Sequence, residues 1–238
     1  MKVVCTLKKK PTVFVDKTLG SAERQNIPKT HRALNLYYGK AMANKKWDIA
    51  ADSMFDLATL VGWKAMDYKA GLDACKRSLD AAQRIPDPAR IAKAARSCLY
   101  FSAELGLFRE THALFDTFVR FRSRYNATRT IADAFVDDAE AHLWYSESLL
   151  CLFLDSHDPA LLSKLLAVTS SALTASQTIK TASSNRRPVF SVDQMRKNSL
   201  VNFEILLLRY VALRLLDPKD PMVRTTLDSV KTLIEQGT

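Results

Sequence analysis

The sequence predicts an all-α fold of stacked antiparallel helical hairpins, either an α-solenoid or an irregular helical bundle, led by an extended basic N-terminal arm. Three observations carry this. Past residue 16 strand signals are absent, while apolar residues recur at three-to-four spacing almost to the end. A capping aspartate precedes proline at Asp87-Pro88, Asp158-Pro159 and Asp220-Pro221, and each pair reads as a helix start. Glycine, at 6 of 238 residues, is too scarce for a turn-rich β protein or for glycine-rich phosphate loops.

Residues 1–29 read as the arm, because Pro11 and Pro28 interrupt any long helix and Val13-Phe14-Val15 suits a short strand or a docked extended segment. Residues 30–238 read as one helical-repeat-like domain. Thr30 caps a helix to about Asn44 with Leu34, Tyr37, Tyr38 and Ala41 on its apolar side. Asp48 opens a second helix to about Val61, and a third runs from about Lys64 to Arg84. Pro88 starts the next, which Gly106 ends. Helices follow from about Leu107 to Tyr125 and from Thr128 or Thr130 to about Leu154. The Asp158-Pro159 helix reaches about Thr181, and a loop occupies 182–190. Ser191, with Gln194 three residues on, forms a capping box for a helix to Leu216, and the last helix ends near Glu235. Short connections make neighbouring helices antiparallel.

The formal net charge is +10, and it is not spread evenly. Residues 1–46 hold eleven Lys/Arg against two acids, while the rest holds 24 bases and 23 acids. The excess therefore sits at the N-terminal end, in the arm and the first helix, and the remaining helices are nearly neutral. Lys8, Lys9 and Lys10, followed by Pro-Thr-Val-Phe-Val, suit a tail that neutralises RNA phosphate while Phe14 docks on protein; a solubilising tail or localisation signal reads the same way. Ribosomal-protein extensions look similar. Arg120, Arg122, Arg124 and Arg129 interleave with Phe118, Phe121 and Tyr125, whose spacing puts the aromatics on one core-facing side. The arginines, with Arg186 and Arg187 of the loop, are then candidate phosphate contacts.

From Thr130 to Ser163 there are seven acids and no Lys or Arg. Asp133, Asp137 and Glu140 share one helix face. They suit a docking surface for a basic partner, a weak divalent-ion site, or a solvated face. His31, His112, His142 and His157 form no HExxH and no ligand pair. Cys5, Cys75, Cys98 and Cys151 form no CxxC and read as reduced core thiols. No catalytic signature, cofactor motif or small-molecule site is expected. Leu200–Leu216, the most apolar run, contains Glu204, Arg209 and Arg214 and reads as a buried helix, not a membrane span. No secretory signal is visible, so a reducing intracellular compartment is expected, the mitochondrial matrix or the cytoplasm.

Gly39 in one helix, with Ala51, Phe55 and Ala58 in the next, gives a small-large-small alternation. Gly106-Leu107-Phe108 makes a turn ahead of Phe115 and Phe118. The pattern resembles a tetratricopeptide repeat, and Gly106–Val119 is similar to the second half of a pentatricopeptide repeat. It covers about a third of the chain. Phe55 and Phe115 stand 60 residues apart, where two whole repeats would give about 68. Thr111 stands where the repeat prefers alanine. The resemblance implies paired helices that approach through small residues. It implies RNA read one base per repeat only where regular repeats follow one another. Without them a scaffold or adaptor role is expected, with other proteins of a large ribonucleoprotein as partners.

Overall fold

The computed structural model describes residues 27–182 and 192–235, with the side chains of 131, 132, 175–182 and 192–198 excepted. Among these residues the chain is helical, without strands. The helices are α1 (Ile27–Ala43), α2 (Trp47–Ala58), α3 (Tyr68–Ala82), α4 (Pro88–Glu104), α5 (Phe108–Asn126), α6 (Ile131–Ser156), α7 (Pro159–Ala182), α8 (Val192–Leu216) and α9 (Pro221–Glu235). The arm residues Lys8, Lys9, Lys10 and Phe14, the loop arginines Arg186 and Arg187, and the Ser191 cap lie outside the described residues.

Local chemistry sets most helix starts. The Asp87 carboxylate accepts from the Ala89 and Arg90 N–H groups at 3.1 Å each, with Pro88 in the first turn. Asp158 and Asp220 accept from Ala160 and Met222 N–H at 2.9 and 2.8 Å. The Thr130 hydroxyl accepts from Asp133 N–H at 3.1 Å and donates to the Asp133 carboxylate at 2.9 Å. At Gly106 the chain turns through a φ of +71°, the left-handed region where glycine carries no Cβ penalty. The first helix begins at Ile27, so the expected arm gives up its last residues to α1.

The chain divides into two compact units, one ending at Leu105 and one beginning at Gly106. In the first, α1 packs on α2, α2 on α3 and α3 on α4. Ala41, Ala50, Ala51, Ala81 and Ala82 form an alanine cluster that brings these helices close together. Tyr38, Met42, Ile49 and Ile91 pack around it. Ser78 donates to the Ala51 carbonyl across the α2–α3 contact at 2.8 Å.

One departure from the expected helices sits here. The end of α2 widens into a π-helical turn over Thr59–Lys64, and α3 begins at Tyr68 rather than near Lys64. Gly62 of the turn, Gly71 of α3 and Phe101 of α4 meet there. A Cβ on Gly71 would stand 2.7 Å from the Gly62 Cα, and one on Gly62 would stand 2.3 Å from the Phe101 ring. Gly39 lies in open space, with nothing within 4 Å of a Cβ built on it. The close helix approach expected of Gly39 is made by Gly62 and Gly71.

In the second unit, α6 packs on α5, α7 and α8; α7 packs on α8, and α9 packs on α8. The mutual packing of α6, α7 and α8 makes a three-helix core filled by Ala139, Leu143, Ala172, Val201 and Ile205. No helix among the described residues is long and apolar enough to cross a membrane.

Candidate functional site

The basic and acidic segments singled out in the sequence meet in the α5–α6 hairpin. The Arg122 guanidinium on α5 lies 3.3 Å from an Asp138 oxygen, and Arg129 lies 3.2 Å from Asp137. The Tyr125 hydroxyl donates to Asp137 at 2.7 Å. Phe118 and Tyr125 are buried and Phe121 is half-buried, so the aromatic face belongs to the core.

This placement corrects the acidic docking face. Asp137 and Glu140 are only 8% and 7% exposed. The cause is that α6 is covered by three other helices, so Asp137 and Glu140 face protein, not solvent, while Glu147 and Asp155 of the same helix are exposed. Asp133 is half-buried and engaged in the α6 cap. A carboxylate bound to a tyrosine hydroxyl and an arginine of its own hairpin is not free to receive a basic partner. The basic patch narrows too. Arg122 is tied to Asp138, while Arg120 and Arg124 are exposed. Four residues apart, they share one edge of α5.

Beside the Arg122–Asp138 pair lies His142, nearly fully buried. Its Nδ1 stands 2.7 Å from the Asp138 carbonyl and 3.8 Å from the Asp138 carboxylate, and Phe115 meets the ring edge-on. Burial pushes the imidazole pKa down; Asp138 pulls it up and Arg122 pushes it down again. His112, T-shaped against Tyr145, is pushed down as well, by burial and by Lys164.

Two arrangements escaped the sequence. Around the π-turn, Trp63 stacks on Tyr100 with ring centroids 4.0 Å apart and planes 8° from parallel, and Tyr68 meets Tyr100 at 83°. No periodicity signals this, because the three rings come from separate elements. The second is Arg90, whose Nε and Nη2 donate to both oxygens of Asp52 at 3.0 and 3.1 Å while Nη1 donates to Asp87. This fork ties α2 to the capped start of α4. Cys75 and Cys98, distant in sequence, face each other from α3 and α4 as buried free thiols, with Cys75 pushed up by burial and its hydrogen bond to Cys98.

The second unit has an open-sided groove of about 450 Å³ between the start of α5 and the end of α6, lined by Leu107, Phe108, Arg109, Leu152 and Asp155. No cluster of three or more His, Cys, Asp or Glu that could hold a metal occurs among the described residues. Comparison with protein-family models gives no match, and comparison with curated proteins finds no relative.

Proposed function

We propose that the chain is a non-catalytic adaptor subunit of a large ribonucleoprotein assembly, a ribosome or an RNA-processing complex. In this reading a divergent helical-repeat body docks on protein and the basic arm lies along RNA. One observation carries it: the segregation of charge. Nearly all the excess positive charge lies in residues 1–46, the arm and the first helix, while residues 47–238 hold 24 bases and 23 acids. Arg90, Arg122 and Arg129 are each engaged by carboxylates of the chain. The arm, the exposed bases of α1 and the turn after it (Lys29, Arg32, Lys40, Lys45 and Lys46), and Arg120 and Arg124 are then suited to phosphate, and the rest of the body to protein contacts.

The test is capture of the tagged full chain from cell extract with and without nuclease. The expected result is co-purification of both RNA and a set of proteins. Deleting residues 1–26, which spares α1, should weaken that association while leaving the helical CD signal unchanged. Capture of proteins alone, indifferent to nuclease, would make the chain a protein-only adaptor. Salt-sensitive binding of purified chain to naked RNA, with no protein partners, would make it a free RNA-binding protein.

A further inference from the structure

From Leu200 to Leu216 apolar residues occur on every side of α8. Its neighbours α6, α7 and α9 cover part of it, burying Val201, Ile205, Ala212 and Leu213. On the same side Arg209 donates to the Leu166 carbonyl and the Ser170 hydroxyl of α7. Among the described residues the opposite face is only partly covered. Leu200 is 54% exposed and Leu207 43%, with Phe203 and Val211 half-buried beside them. At helical spacing Leu200, Phe203, Glu204, Leu207, Val211 and Arg214 fall within one arc, centred away from Ile205 and Arg209. The strip is about 20 Å long.

Two charges interrupt this strip, Glu204 and Arg214, and neither is paired with another described side chain. They stand ten residues apart, about 15 Å along the axis. Burial among its apolar neighbours pushes the Glu204 carboxyl above the ordinary carboxylate range, so an opposing cation would be favourable. A face with its acid towards one end and its base at the other complements itself when inverted.

We propose that a second copy of this chain covers the strip. The two α8 helices pair antiparallel about a two-fold axis level with residue 209, so that Glu204 faces the partner's Arg214. In that register Leu207 lies opposite the partner's Val211, and Phe203 opposite the partner's Leu215. Parallel pairing would set acid against acid and base against base. A lipid surface would supply no cation fixed opposite Glu204 and would bury both charges in an apolar phase. A single helix pair is a small interface, so the dimer forms in the micromolar range rather than being obligate.

The test is sedimentation of the full chain from low to high micromolar concentration. The wild type should pass from monomer to dimer. Leu207→Glu, a change at a solvent-facing position, should keep it monomeric with an unchanged CD spectrum. Glu204→Arg and Arg214→Glu should each weaken dimerisation by about tenfold or more, and the two together should restore it. A chain that stays monomeric throughout, a dimer indifferent to Leu207→Glu, or charge reversals whose combination gives no rescue would each overturn the pairing.

Discussion

Gly71 and Gly39 show how a residue's cost depends on what surrounds it. A methyl at position 71 would press on the Gly62 backbone, which cannot yield as a flexible side chain would. Gly71→Ala is expected to destabilise the chain by about 2 kcal/mol, read as a lower midpoint in urea. At position 39 the same change meets open space at an exposed position of α1. Gly39→Ala should instead stabilise by up to about 1 kcal/mol, because glycine is a poor helix former. Equal effects at the two positions would contradict the packing described. The sequence shows both glycines but not which one matters, since the partner of Gly62 is Phe101, on a helix two elements later.

At the scale of elements, hairpins are held by charged and polar locks. Arg90 joins Asp52 of α2 to the Asp87 cap of α4 through a two-pronged contact. Lysine keeps the charge but loses the fork. Arg90→Lys should therefore lower stability by about 1 kcal/mol, and a double-mutant cycle with Asp52 should show that the two are coupled. In the α5–α6 hairpin His142 makes the lock sensitive to acid. Its folded pKa lies below the unfolded value of about 6.5. The unfolded chain therefore takes up the proton first. This contribution to stability is complete above about pH 6.5 and is lost as pH falls through the folded pKa. His142→Gln should flatten the fall in thermal midpoint between about pH 7 and 5 relative to wild type. An unchanged slope would show that His142 does not titrate in this environment. Helix starts were legible in the sequence because Asp87-Pro88, Asp158-Pro159 and Asp220-Pro221 act locally. The acidic face was not. The spacing of Asp133, Asp137 and Glu140 defines a side of α6, but only the packing of α5, α7 and α8 decides whether that side is wet.

At the scale of the molecule, the helical character of the described residues followed from periodicity and scarce glycine. The division at Gly106 did not, because nothing in composition changes there. The separation of charge was legible by counting, but its internal use was not. Tyr125 and Arg129 reach Asp137 only once the hairpin closes. If the arm lies along RNA, binding by the full chain should fall steeply with salt, and deletion of residues 1–26, which hold six of the eleven bases of residues 1–46, should remove about half of that slope. Arg120→Ala with Arg124→Ala should reduce it by no more than about two counterions. A slope unchanged by the arm deletion would move the contact to the body.

Arg122 and Arg129, cancelled at close range by Asp138 and Asp137, project little field into solvent. On the proposed reading, the unmatched charge counted in residues 1–46 is what acts at long range. A polyanion would then be met through that charge first, and ionic strength would govern how fast the chain arrives. How long it stays would depend on the short-range fit of the helical body.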